Sequence, residues 1–378
     1  MLPLAMREDI VDLLSKLVSI DSVNPSLVPG GAGEAEIAAF TSDWARASGL
    51  EAELLEQTPG RPSVLVRARG TGGGRTLLLC GHIDTVNVEG MDRAHAPRIE
   101  GDRLYGRGAY DMKAGVAAAL VACREASTLG LAGDVVVAAV ADEEHASLGV
   151  QEALRAVRAD AAVVTEPTEL EIAVAHKGFV WAEIEVTGRP AHGSRPHLGV
   201  DAIAKTGPIL TAIGELDRAL GEREHPLVGR GSVHASLISG GVEMSSYPGR
   251  CVVGLERRTI PGETAADVEA ELDSLLERCR AADPELLVEK RMGLVREPFE
   301  VDRDEEIVTA VTAAAGGSRP IGGASYWADS AFIAAAGIPT VLFGPGGEGA
   351  HAEVEWVSIG DTETVARTLV DVAGTICR

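Results

Sequence analysis

Residues 76–84 read TLLLCGHID, an unbroken apolar run that ends on a histidine and an aspartate. Comparable runs recur at 134–142 (DVVVAAVAD), 161–167 (AAVVTEP) and 339–344 (PTVLFG). Continuous apolar segments of this length suit strands covered on both faces, as in a doubly wound α/β sheet. Helical patterns at 34–48, 112–129 and 148–157 alternate with them, and that alternation predicts α/β architecture.

The middle of the chain follows another rhythm. Between residues 176 and 187, Val180, Ala182, Ile184 and Val186 alternate with Trp181, Glu183, Glu185 and Thr187, the pattern of a strand with one buried face. A helical stretch at 200–220, alternating runs at 232–239 and 250–260, a helix at 264–282 and a strand at 285–291 follow. The order β-α-β-β-α-β is that of a ferredoxin-like module. The expectation is therefore an α+β domain at 176–292, inserted into a larger α/β domain made of 1–175 and 293–378.

Composition narrows the function. With 34 basic against 57 acidic residues the net charge is −23, a surface that repels nucleic acid and anionic membranes. No run of eighteen apolar residues is present, and residues 1–20 read as an amphipathic helix instead of a signal peptide. Five scattered cysteines without a CxxC pair suit reduced thiols and a cytoplasmic location.

Acidic and imidazole residues fall where the strands end. His82 and Asp84 follow the first run, Glu143 and Glu144 the second, and Glu166 ends the third. His351 lies in the glycine-rich loop after the fourth, and Asp111 stands in GRGAYDMKAG just before a helix. Ligands of open α/β sheets bind outside the carboxyl ends of the strands, so these side chains are expected to converge at one edge. Carboxylates crowded together repel, and a cation relieves them; imidazole with carboxylate suits zinc or a similar divalent ion. Blander roles compete. Glu143 and Glu144 could be a solvated helix start, and Asp111 could be a helix N-cap. Spacing alone does not separate a base from a ligand at 143–144. The GPGGEG of residues 344–349 matches G-x-G-x-x-G, but Pro345 and the short remaining chain exclude a dinucleotide site.

Six segments in order, HIDTV (82–86), GRGAYDMKAG (106–115), ADEEHASLG (141–149), TEPT (165–168), AHGSRPHLGVDAI (191–203) and FGPGGEGAHAEVEWV (343–357), resemble the signature blocks of the M20 family of metallopeptidases and deacylases. That family includes acetylornithine deacetylase, succinyl-diaminopimelate desuccinylase and carboxypeptidase G-type enzymes. The resemblance implies a zinc-peptidase-type catalytic domain, with residues 176–292 as an inserted lid and dimerisation domain. It implies two divalent ions, zinc foremost with cobalt or manganese as alternatives, bridged by Asp111. His82 and Glu166 would complete one site, Glu144 and His351 the other. Asp84 would fix the His82 tautomer by a hydrogen bond. Glu143 would act as general base on a water shared by the ions. His192, in the inserted domain, would stabilise the oxyanion, in one arrangement from the partner of a homodimer. Arg258 would hold a substrate carboxylate, with Arg257 on the opposite strand face. Ser245 and Ser246 stand where many relatives carry an asparagine, which puts a substrate contact there in doubt. The function expected is deacylation of small N-acyl amino acids. A dipeptidase or carboxypeptidase of the same family, or a metal-binding protein without catalysis, are the alternatives.

Overall fold

The structure is a computed structural model that describes residues 2–378, the first few by their backbone alone. The chain divides into two compact units. One comprises the chain up to Val174 together with Val301–Gly322 and Ala328–Arg378; the other comprises Ala175–Glu300 and Gly323–Trp327.

In the first unit the apolar runs form a parallel core. Leu77–His82 lies between Val135–Val140 and Ala161–Val164, and Thr340–Leu342 continues the parallel set beyond Ala161–Val164. Every residue of Leu77–His82 and Val135–Val140 is buried, which requires cover on both faces. Two antiparallel strands extend one side, Ser63–Ala68 against Val135–Val140 and Glu51–Leu55 beyond it. On the other side Leu342 stands opposite Ala173 of the Ile172–His176 strand. The sheet is thus mixed, with its parallel part where the long apolar runs lie.

The helix Ala114–Ala126 (AGVAAALVACREA) packs against this core with small side chains, eleven of them buried. Gly115 is the closest approach: a Cβ there would lie 2.0 Å from the carbonyl oxygen of Thr165. The periodic pattern from 112 onward predicts a helix starting there, whereas the α-helix begins at Ala114. A wider turn, Ala109–Lys113, precedes it, in which Asp111 adopts φ −113° and ψ 93°. That turn releases the Asp111 side chain from the helical direction. Lys113, not Asp111, occupies the N-cap position.

The second unit has one four-stranded antiparallel sheet in the order Ser232–Gly240, Arg250–Thr259, Gly178–Thr187, Leu287–Arg296. Helices Ala202–Leu220 and Ala265–Ala282 complete the succession β-α-β-β-α-β. Val180, Ala182, Ile184 and Val186 are buried in one apolar cluster with Ile209, Val253, Leu255, Leu272 and Leu276. Trp181 and Glu183 face outward from the same strand. Asp201 caps the first helix through Ala204 N–H, and Thr264 with Asp267 forms a reciprocal capping box on the second.

Replacing Gly115 by alanine should overpack the helix against Thr165, costing about 1–3 kcal/mol. Thermal denaturation would show this as a Tm lowered by several degrees.

Candidate metal centre and active site

His82 closes its strand with the side chain buried. Its Nδ1 lies 3.0 Å from the main-chain oxygen of Asp84, an atom that can only accept. Nδ1 therefore carries the proton, and Nε2 is turned toward carboxylates: Asp111 Oδ1 at 3.2 Å, Glu166 Oε1 at 3.9 Å and Glu143 Oε2 at 4.0 Å. A lone pair aimed at three acceptors is stable only with a proton or a metal ion between them.

The side-chain bond expected from Asp84 to the imidazole is not made. Asp84 Oδ1 is 3.7 Å from Nδ1, and the main-chain oxygen fixes the ring instead. The Asp84 carboxylate accepts the backbone N–H of Glu143 (3.1 Å) and of Glu144 (3.3 Å), and the amide of Asn24 (2.7 Å). Asp84 thus orients the loop after the second apolar strand, because that loop presents two N–H groups at the point where the carboxylate is buried.

Asp111 is set by a residue that the sequence did not single out. Buried Glu355 accepts the backbone N–H of Gly108 (2.9 Å), Tyr110 (2.8 Å) and Asp111 (3.0 Å), and Arg107 donates to it at 2.7 Å. Glu355 lies inside the last signature-like block, four residues after His351, which is the signal that could have found it. Held in this way, Asp111 offers Oδ1 to His82 and Oδ2 to His351 Nε2 at 3.3 Å. His351, in the left-handed region at φ 61°, also reaches Glu144 Oε2 at 3.1 Å. Gly344 lets its loop pass the Glu166 backbone, since a Cβ there would lie 2.0 Å from the Glu166 oxygen.

The ligand atoms of His82, Glu143 and Glu166 lie within 4.8 Å of one another, as do those of His82, Asp111 and Glu144. The first unit therefore brings together His82, Asp84, Asp111, Glu143, Glu144, Glu166 and His351. His192 and Arg258 belong to the second unit. His192 is exposed on the short Ala191–His192 strand, paired with Ser246, its Nδ1 2.8 Å from Ser194 Oγ. Arg258 is partly exposed, donates through Nε to Glu256 at 2.7 Å and lies 5.0 Å over the Phe179 ring. Arg257 is buried on the other strand face, held by Glu271 and Glu263. The buried His176 ring bonds the Lys177 main-chain oxygen through Nδ1 and lies against Phe299.

Electrostatics follow the crowding. Burial, then the Glu166, Asp329 and Glu144 charges, raises the Glu143 carboxyl well above its usual value, against the pull of His82. Glu166 is raised for the same reasons, and burial raises Glu144. Burial works against a charged His82, yet Asp111, Glu166, Glu143 and Asp84 together raise it well above 6.5. Asp111 and Glu144 raise His351 to about 10. Burial opposes ionisation of Asp111, but the two imidazoles depress it below the usual range. The fold has assembled more negative charge than its imidazoles balance. Buried Glu144 Oε1 has no hydrogen-bond partner, an orphan that a cation would satisfy. Imidazole nitrogen and carboxylate oxygen form a donor set that fits a divalent metal ion.

A profile of peptidase family M20/M25/M40 matches residues 78–375. The chain belongs to peptidase family M20. It is accordingly a metal-dependent hydrolase of amide or peptide bonds, with the mixed α/β fold of M20 peptidases. The M20 chain is 28% identical over 380 residues to an acetylornithine deacetylase of Proteus mirabilis, covering 97% of this chain and 96% of that one. Its fold is similar to that of a tripeptidase from Staphylococcus aureus, with a TM-score of 0.81 at 20% identity, covering 98% and 99% of the two chains. It is also similar to a dinuclear metal-binding M20 peptidase from Bacillus subtilis, with a TM-score of 0.76 at 16% identity over 99% of each chain.

Proton linkage tests the centre. A folded-state pKa of about 10 for His351, above 6.5, means its contribution to the cation-free fold is complete below pH 6.5 and lost as pH rises through about 10. His82 and the three raised glutamates act in the same direction. The Tm of chelated protein should therefore fall between neutral pH and pH 10. Zinc binding at pH 7 should release protons, because each imidazole must be neutral and each carboxyl ionised to ligate. Titration calorimetry in buffers of different ionisation enthalpy measures that release; uptake or no exchange would refute protonated imidazoles in the cation-free centre.

Proposed function

We propose that the M20 chain hydrolyses the amide bond of small N-acyl amino acids with a free carboxylate, using two zinc ions held by His82, Asp111, Glu144, Glu166 and His351. The observation that carries this reading is Asp111, one oxygen toward each imidazole, with the Glu143 carboxyl beside His82. The near-full-length likeness to a relative named acetylornithine deacetylase supports a deacylase over a peptidase.

When bound, the ions would supply Lewis acidity and lower the pKa of water. Glu143 takes the proton from the attacking water and returns it to the departing amine nitrogen. Asp84 keeps Glu143 aimed through the backbone N–H that it accepts. His82 is kept in one tautomer by the Asp84 main chain. His192 donates to the oxyanion formed from the substrate carbonyl. Arg258, its Nε fixed by Glu256, offers the remaining guanidinium N–H groups to the substrate carboxylate. Residues 176–292 serve as lid and dimerisation domain. Dimer contact falls to the edge strand Ser232–Gly240, whose Leu237 and Ile238 are 75% and 57% exposed. A second copy of that edge would pair its outward backbone groups and cover both side chains. The five cysteines, all free and buried, fit a reducing, cytoplasmic compartment. No helix among the described residues is long and apolar enough to cross a membrane.

Purified protein should hydrolyse one class in a panel of N-acyl amino acids and dipeptides, lose that activity on chelation and regain it with zinc or cobalt. Glu143→Ala should keep both metals and lose about 10²–10⁴ of kcat; turnover near wild type would remove Glu143 as the base. Cleavage of dipeptides alone would assign the peptidase reading instead. Leu237→Lys should yield monomers in sedimentation velocity, and an unchanged dimer would exclude this edge.

A further inference from the structure

Glu143 and Glu144 are neighbours in sequence with separate tasks, so the turn that carries them must hold two carboxylates in two directions. That turn is built on Asp142, a buried residue in the left-handed region at φ 67°. Its main-chain oxygen accepts the N–H of His145, Ala146 and Ser147, and its Oδ2 accepts Ala146 N–H at 3.2 Å. A non-glycine residue stays in this conformation only where its surroundings over-determine it.

The surroundings lead to Arg61. Its Nη2 donates to Asp142 Oδ1 at 2.7 Å, its Nε and Nη2 fork onto Glu34 at 2.7 Å each, and Nη1 reaches Ser26 Oγ at 2.9 Å. Arg61, Glu34 and Asp142 are all buried. Asn24 forms a second path from the same point: its amide donates to Asp142 Oδ1 (3.1 Å) and to Asp84 Oδ2 (2.7 Å). Asp84 in turn accepts the N–H of Glu143 and Glu144. The path through Asp142 ends on the N–H groups of His145, Ala146 and Ser147, just past the two glutamates, and the path through Asn24 and Asp84 ends on the N–H groups of Glu143 and Glu144 themselves.

We propose that Arg61 is a positioning residue of the metal centre, a clamp that holds the 142–147 turn so that Glu144 reaches the metals and Glu143 faces the substrate water. This role rests on the proposed tasks of Glu143 as base and Glu144 as ligand. Burying a charged pair gains little stability by itself, and its use lies in fixing geometry. Three donors of one planar group satisfy Glu34, Asp142 and Ser26 at once, which a lysine ammonium on a flexible stem does not reproduce.

The test is cobalt titration of the chelated full-length protein by calorimetry and visible absorption, beside kcat and KM on whichever amide substrate is turned over. Arg61→Lys should fold, with wild-type circular dichroism, and bind one of two cobalt ions about tenfold more weakly with an altered spectrum while the other is unaffected. Its kcat should fall about ten- to hundredfold with KM nearly unchanged. Asp142→Asn keeps one acceptor oxygen for Arg61 and tolerates the left-handed backbone but turns an N–H2 group toward the Ala146 N–H, so it should fall between wild type and Arg61→Lys, whereas Asp142→Ala should follow Arg61→Lys. If Arg61→Lys fails to fold, Glu34→Gln, which loosens the fork, reads the same weakening of one site. Wild-type cobalt affinities and spectrum in Arg61→Lys and Asp142→Ala (or in Glu34→Gln, if Arg61→Lys fails to fold), or equal weakening at both sites with a lowered Tm, would overturn the proposal. The cobalt measurement decides it even if no substrate of the panel is cleaved, an outcome that would count against the deacylase reading alone.

Discussion

Asp111 faces an imidazole with each of its two oxygens, and the rest of the first unit is arranged around keeping it there. A carboxylate shared by two histidines and ringed by Glu143, Glu144 and Glu166 has no stable arrangement without positive charge. The chain accepts that local cost because the parallel strands end together, so that short loops deliver the acidic side chains to one place. Cation binding and folding are therefore coupled: the ions that make the reaction possible also relieve the repulsion that the fold creates.

Behind the candidate ligands stand two carboxylates that hold backbone groups. Glu355 collects three backbone N–H groups of the Asp111 turn, and Asp84 collects two from the Glu143–Glu144 loop. Each converts an irregular loop into a rigid one by satisfying donors that neither helix nor sheet can use. The rigidity costs little motion elsewhere, since the apolar strands beneath are packed on both faces.

The long buried strands are legible in the sequence because both faces are covered, and a run such as VVVAAV has few other ways to be satisfied. The alternation at 180–187 is equally plain, as one face of that sheet carries helices and the other does not. The outer strand Glu51–Leu55 leaves no such trace: it is mostly exposed, so no apolar period marks it. The turn at 109–113 reads partly as helix because periodicity continues through it while the backbone does not. Candidate ligands can be picked out since each follows a strand or opens a helix. Arg61, Glu34 and Asn24 cannot, because their partners lie far away in sequence and no local pattern betrays a pairing made only in three dimensions.

The contrast between Arg257 and Arg258 has a meaning for how the second unit folds. Strand side chains alternate, so sliding Arg250–Thr259 by one residue would turn the Glu263- and Glu271-bound guanidinium out to water and thrust its neighbour into the apolar interior. An arginine that is neutralised in a single alignment works as a proofreader of pairing. Misaligned sheets are penalised by a stranded charge, and the chain is steered to the one alignment in which Arg258 stays at the surface beside Glu256.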